Sequence, residues 1–192
     1  GYSPFASKER LGQGTIPYMT IPELSPSDIR LLCLDVDGVL TDGSIILDEN
    51  GIETKRFHVR DGLAMRAWRD CGHEIAIISS RPGGVVNRRM AELGIVHVHC
   101  GVQDKRAVFE DVLQTVGVTA QEAAMVGDDL PDLRILRRCG YPVAVADAAP
   151  EVRTKATMVT NACGGRGAVR EVIEHLLTAQ GRWNDVVARY DV

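Results

Sequence analysis

With 192 residues, 45% of them hydrophobic and 25% charged, the chain suits one globular domain with a sizeable core. A net charge of -4 and a pI near 5.7 exclude a global basic field, so neither nucleic acid nor a membrane surface is an expected partner, and an anionic ligand must be held by local cations. The five cysteines (Cys33, Cys71, Cys100, Cys139, Cys163) form no C-x-x-C pair and read as free thiols of a reducing cytoplasm, and no run approaches a membrane span.

In chain order, residues 1–28 carry no apolar signal core, and their Ser, Pro and Gly content predicts an arm of low order. Leu31-Leu32-Cys33-Leu34 is apolar with no polar side, the pattern of a strand buried on both faces of a sheet. Next comes a predicted hairpin, with Ser44–Leu47 and Ile52–Val59 flanking Asp48-Glu49-Asn50-Gly51, since Asn-Gly is a strong hairpin signal. Its Ile45, Ile46, Leu47, Ile52 and Phe57 would make a poor free edge, so a second subunit is expected to bury it.

Helical faces follow at Leu63, Ala64, Ala67, Trp68 and Cys71, at Val108, Val112 and Val116, and at Val169, Val172, Ile173 and Leu176. Between them lie strand candidates Glu74–Ser79, Ile95–His99, Ala123–Val126, Pro142–Val145 and, more weakly, Thr157–Val159. Gly72, Gly94, Gly117 and Gly140 each stand where a helix would end on a left-handed residue. Strands alternating with helices predict an α/β fold, a doubly wound, Rossmann-like parallel sheet over residues 29–178. A helical tail over 179–192 places Trp183, Val186, Val187 and Tyr190 on one face, suited to docking at a subunit interface.

The chemistry gathers at strand ends. Asp35-Val36-Asp37-Gly38 leaves the first strand with two carboxylates, which repel unless a cation sits between them, and carboxylate oxygens are what Mg²⁺ selects. Ser79-Ser80-Arg81 leaves another strand, Lys105 opens a helix, and Gly127-Asp128-Asp129-Leu130-Pro131-Asp132 supplies a second acidic cluster. Together they suit a phosphate monoester. Mg²⁺ on Asp35 and Asp128 neutralises the phosphoryl charge, Lys105 and Ser79 take the remaining oxygens, one carboxylate attacks phosphorus, and a second carboxyl serves the leaving alcohol.

These motifs, in this order, resemble the haloacid dehalogenase superfamily of phosphohydrolases. The resemblance implies Asp35 as nucleophile and metal ligand, Asp37 as general acid and base with its carbonyl on the metal, and Asp128 completing the protein part of the Mg²⁺ site, supported by Asp129 and Asp132. Asp42-Gly43, the hairpin, Phe57 to Gly62 and Gly164-Gly165-Arg166-Gly167 narrow it to the capless 3-deoxy-D-manno-octulosonate 8-phosphate phosphatase subfamily. That likeness implies a homotetramer with shared active-site mouths, a place in lipopolysaccharide biosynthesis, and substrate contacts at Asp37, His58, Val59, Arg60, Asp61, Gly62, Arg66, Arg81, Arg89 and Lys105. His58 stands where the subfamily usually has Asn, and Ser79-Ser80 where it usually has Thr-Gly. A related branch acts on the nine-carbon acid phosphate. From other classes, a phospho-accepting receiver domain would lack the Asp37 acid, and a non-catalytic assembly domain would not need Asp35, Asp37, Lys105 and Asp128 intact.

Overall fold

The computed structural model describes residues 25–191. The arm expected over residues 1–28 lies mostly outside them; its end, Pro26–Asp28, is a 3-10 turn capped by Ser25. The elements that follow are β1 (Leu31–Leu34), β2 (Ile46–Leu47), β3 (Glu53–Thr54), α1 (Val59–Asp70), β4 (Glu74–Ser79), α2 (Gly84–Glu92), β5 (His97–Cys100) and α3 (Lys105–Val116). The second half contains β6 (Ala123–Gly127), α4 (Leu133–Leu136), β7 (Tyr141–Ala144), α5 (Pro150–Arg153), β8 (Met158–Val159), α6 (Ala168–Ala179) and α7 (Trp183–Ala188).

Six strands form one parallel sheet in the order β5-β4-β1-β6-β7-β8, and β2 pairs antiparallel with β3 as a separate ribbon. The chain winds outward from β1 through β4 to β5, then crosses to β6 on the other side. That reversal opens a crevice at the carboxyl ends of β1 and its neighbours. All four residues of β1 are buried, as a continuous apolar run requires when helices flank the sheet. Helix α1 packs on α6, and α3 packs on α4 and β4. Trp68 anchors α1: the ring is fully buried, and its indole N–H donates to the Glu74 carbonyl at 3.0 Å.

The expected boundaries differ from the observed ones for local reasons. Strand β5 begins at His97, because the Ile95 N–H returns to the Met90 carbonyl at 2.9 Å after a left-handed Gly94. Ile95 is thus the apolar residue closing the exit of α2 rather than the first residue of a strand. The hairpin is shorter than expected, since Val59 already belongs to α1. Its turn is closed by the Gly51 N–H on the Asp48 carbonyl at 3.0 Å, with Gly51 left-handed and Asn50 not, so it is a turn with a glycine bulge rather than the two-residue Asn-Gly type. Leu63 faces solvent, and Met65 takes the place expected for it in the core.

Gly140 is no left-handed helix cap. Its N–H donates to the Ala120 carbonyl at 2.7 Å, and a Cβ there would overlap the Gln121 carbonyl oxygen. In the tail, Val186 is buried and Trp183 packs on the core beneath the Arg170 guanidinium, 4.5 Å from the ring centroid, while Val187 and Tyr190 remain exposed.

Gly140→Ala should therefore destabilise the protein by about 1–3 kcal/mol, because backbone must move to admit one methyl group. Gly84→Ala, where a Cβ meets nothing within 4 Å, should be neutral or stabilising by up to about 1 kcal/mol. Urea midpoints of the two variants measure the contrast.

Candidate active site

The crevice at the ends of β4, β1 and β6 is a cleft of about 310 Å³ whose lining includes Asp35, Asp37, Ser79, Arg81, Lys105 and Asp128. Asp35 continues the sheet, its N–H donating to the Val126 carbonyl at 3.2 Å. The chain then turns on the Val36 carbonyl, which accepts from the N–H groups of Val39, Leu40 and Thr41. Gly38 makes this possible in two ways: its φ is +92°, and a Cβ there would overlap the Asp128 carboxylate. Gly164 and Gly165 brace the turn from outside. The Gly165 N–H donates to the Val39 carbonyl at 2.9 Å, and a Cβ at Gly164 would overlap the Gly38 carbonyl oxygen.

Lys105 is buried between two carboxylates, 2.9 Å from Asp35 Oδ1 and 2.8 Å from Asp132 Oδ1. The other oxygen of Asp132 accepts the Asp128 N–H at 3.0 Å, so Asp132 is engaged on both sides and fixes its neighbours. Burial alone would lower the Lys105 pKa, but the two carboxylates outweigh it and the value is raised. Asp35 is pushed up to about 6 by burial and by Asp132, against the pull of Lys105. Asp128 is pushed up to about 8 by burial, then by Asp35, Asp132 and Asp129. At the end of β4, Ser79 Oγ accepts the Arg81 N–H at 3.2 Å, which leaves its own proton free to donate into the cleft.

Oxygens of Asp35, Asp128 and Asp132 lie within 4.8 Å of one another. Because Asp132 is fully engaged, Asp35 and Asp128 are the members able to offer an oxygen outward. Asp128 Oδ1 is buried without a hydrogen-bond partner among the described residues. A buried, partnerless carboxylate oxygen beside a second carboxylate suits a hard divalent cation, so these residues fit Mg²⁺.

Two residues of the site are absent from the sequence-based expectation. Lys55 contacts Asp37 Oδ1 and lies 3.4 Å from Glu53 Oε1, and Glu53 Oε1 accepts from Arg81 Nη2 at 2.7 Å. The Arg81 hydrogen bond is the main reason Glu53 titrates below the usual carboxylate range. The signal was present in the alternation of the hairpin's second arm. Glu53, Lys55 and Phe57 are half-buried, whereas Ile52, Thr54 and Arg56 between them are exposed.

The remaining expected substrate contacts do not line the cleft of the single chain. His58, Asp61, Gly62 and Arg89 border a separate narrow crevice with Leu40 and Met65. Asp61 turns inward, its Oδ1 accepting the Arg170 N–H at 2.8 Å, and burial raises its pKa. Gly62 leaves room for Arg89, whose Nη2 would stand 2.5 Å from a Cβ. Arg89 pairs with Glu92 at 3.0 Å, and Arg66 donates to the Glu92 carbonyl at 3.3 Å. Val59, Arg60 and Arg66 are exposed.

A family model for haloacid dehalogenase-like hydrolases matches residues 94–173. The 3-deoxy-D-manno-octulosonate 8-phosphate phosphatase KdsC of Salmonella typhi is 45% identical over 169 residues, 88% of this chain and 90% of the relative. The same-named protein of Haemophilus influenzae is 41% identical over 81% of this chain and 86% of its own. Among solved structures, the Moraxella catarrhalis phosphatase of that name, in complex with magnesium, phosphate and a KDO molecule, superposes with a TM-score of 0.84 at 39% identity, covering 86% of this chain and 95% of that one. The Yersinia pestis enzyme gives 0.82 at 41%, covering 83% and 86%. Likeness of this depth, spanning more than four-fifths of both partners, is inherited rather than convergent: the chain belongs to the haloacid dehalogenase-like hydrolases and, within them, to the 3-deoxy-D-manno-octulosonate 8-phosphate phosphatase family.

Proposed function

We propose that this chain is a Mg²⁺-dependent phosphatase that hydrolyses 3-deoxy-D-manno-octulosonate 8-phosphate to the free sugar acid and phosphate. The observation that carries this reading is the cleft itself, where Asp35, Asp37 and Asp128 meet Lys105 and Ser79 in a chain 45% identical to a phosphatase named for that substrate.

Asp35 is the nucleophile. One of its carboxylate oxygens bonds to phosphorus, the ester P–O bond breaks, and the electron pair leaves on the sugar oxygen, which takes a proton from Asp37. In the second step Asp37, now a carboxylate, takes a proton from water as the water oxygen bonds to phosphorus. The bond between phosphorus and Asp35 then breaks, freeing phosphate and restoring both carboxyl groups. Lys105 and Ser79 hold the non-bridging phosphoryl oxygens, and Asp132 keeps Lys105 aimed. Asp35, Asp128 and the Asp37 carbonyl would hold Mg²⁺, which would supply neutralising charge to those oxygens.

Arg81 stands at the mouth, where its fork can take the substrate carboxylate. His58, Val59, Arg60, Asp61, Gly62, Arg66 and Arg89 complete the substrate contacts from a neighbouring subunit's mouth. This requires an oligomer, which we take to be a homotetramer, and the exposed Ile45, Ile46, Leu47 and Ile52 of the hairpin provide an apolar surface for it. We place the enzyme in the cytoplasm, where its five free thiols persist.

Asp35→Asn should lower turnover by on the order of 10³-fold or more, with a melting temperature no lower than the parent's, because one repelling charge is gone. Normal turnover would remove Asp35 as nucleophile. Light scattering should give a tetramer for the parent and smaller species for Ile46→Asp. A monomeric parent would remove the shared mouth.

The carboxylates set a pH dependence with a definite sign. Their folded pKa values, about 6 and about 8, lie above the ordinary value of about 4, so the folded state binds the extra protons. The contribution of these two groups to stability without metal should be fully present below about pH 4 and decline as pH rises through 6 to 8. The melting temperature in EDTA should fall by about 5 °C between pH 5 and pH 8, and Mg²⁺ should raise it more at the higher pH. An equal Mg²⁺ effect at both would contradict the carboxylate site.

A further inference from the structure

The Lys55 side chain is 1% exposed, although its neighbours on either side, Thr54 and Arg56, are exposed. A lysine in a hairpin arm would ordinarily extend its ammonium into water, and burying it demands partners. Lys55 has two, Asp37 Oδ1 and, at 3.4 Å, Glu53 Oε1. The arm's own fold does not need this arrangement, because Asp48 and Gly51 already close the turn. Arg81 completes a ring of alternating charges: its Nη2 is 2.7 Å from Glu53, and its Nε faces Asp37 Oδ2 at 3.8 Å.

The two oxygens of Asp37 are thereby made unequal. Oδ1 is occupied by Lys55, whereas Oδ2 is buried and has no hydrogen-bond partner among the described residues. An ammonium has three donors and no acceptor, so it favours the carboxyl oxygen that carries no proton, the better acceptor of the two. We infer that Lys55 is a positioning residue for Asp37, locking its carboxyl orientation and reserving Oδ2 for proton transfer, with Glu53 as the counter-ion. The inference rests on the role given to Asp37 above. In the step it serves, the P–O bond to the sugar oxygen breaks, the electron pair stays on that oxygen, and the proton of Oδ2 moves to it. Glu53 keeps the ammonium paired while Asp37 is neutral.

The test compares kcat/KM on esters that differ in their need for a proton. p-Nitrophenyl phosphate releases a stable anion, glycerol 2-phosphate releases an alkoxide without any carboxylate in the molecule, and the sugar-acid phosphate has both an alkoxide and a carboxylate. Lys55→Met should lose about tenfold or more in addition on glycerol 2-phosphate compared with p-nitrophenyl phosphate. Lys55→Arg, which keeps charge and donors, should recover most of that ratio. Glu53→Gln should shift it the same way by less, and it carries the test if Lys55→Met does not fold. Equal losses on the aryl and alkyl esters would overturn the inference in favour of a structural role. A loss confined to the sugar-acid phosphate would overturn it in favour of substrate reading by Lys55. Absence of turnover by the parent on all three esters with Mg²⁺ would instead overturn the phosphatase reading.

Discussion

Carboxylates crowded at one edge of a sheet are the constraint under which the rest of this site is built. Asp35, Asp37, Asp128 and Asp132 converge there, and oxygens of three of them lie within 4.8 Å of one another. Two unit charges at about 4 Å repel by about 4 kcal/mol at the effective dielectric of a partly buried site, more than a hydrogen bond returns on balance. Electrostatics therefore decides what else must be present. The chain brings cations from two directions: Lys105 from the start of α3, between Asp35 and Asp132, and Lys55 from the hairpin, onto Asp37. What remains uncompensated is concentrated at Asp128, where the pKa rises most and one oxygen is left bare.

Rigidity comes from distant parts of the chain closing on the loop after β1. Its own turn folds onto the Val36 carbonyl, Gly165 ties to Val39, and Gly38 lets the Asp128 carboxylate approach. A second tie runs from Asp61 at the start of α1 to the Arg170 N–H at the start of α6. Gly164 and Gly165 thus serve close backbone approach to the loop after β1, far from them in sequence. In the proposed mechanism, fixing the carboxylates before substrate arrives avoids reorganisation during the chemical step.

Much of this was legible because parallel α/β chains place their reactive residues directly after buried strands. Leu31–Leu34 and Ile75–Ile78 announce such strands by unbroken apolarity, and Asp35 and Ser79 follow at the predicted places. What escaped depends on three-dimensional detail that no local pattern encodes. Ile95 belongs to a helix exit because a hydrogen bond back to Met90 claims it. Gly140 is required by the Gln121 carbonyl, in the turn before β6, not by its own helix. Lys55 meets a carboxylate 18 positions earlier only because the arm folds back across the cleft. For His58 to Gly62, Arg66 and Arg89, helical periodicity says which side is buried but not whose cleft that side borders.

The hairpin's second arm reverses the usual order of a β-ribbon, turning ionic residues toward protein and Ile52 toward water. Side chains on an extended strand alternate, so loss or gain of one residue directly after Gly51 would exchange the two sides of the stretch that follows. Thr54 and Arg56 would then point at the cleft, and Glu53 and Lys55 would be carried to the outer surface. Length in this short stretch is consequently under tighter constraint than identity at most of its positions. A conservative replacement there disturbs one contact, but a single-codon deletion would scramble both sides of the ribbon at a stroke.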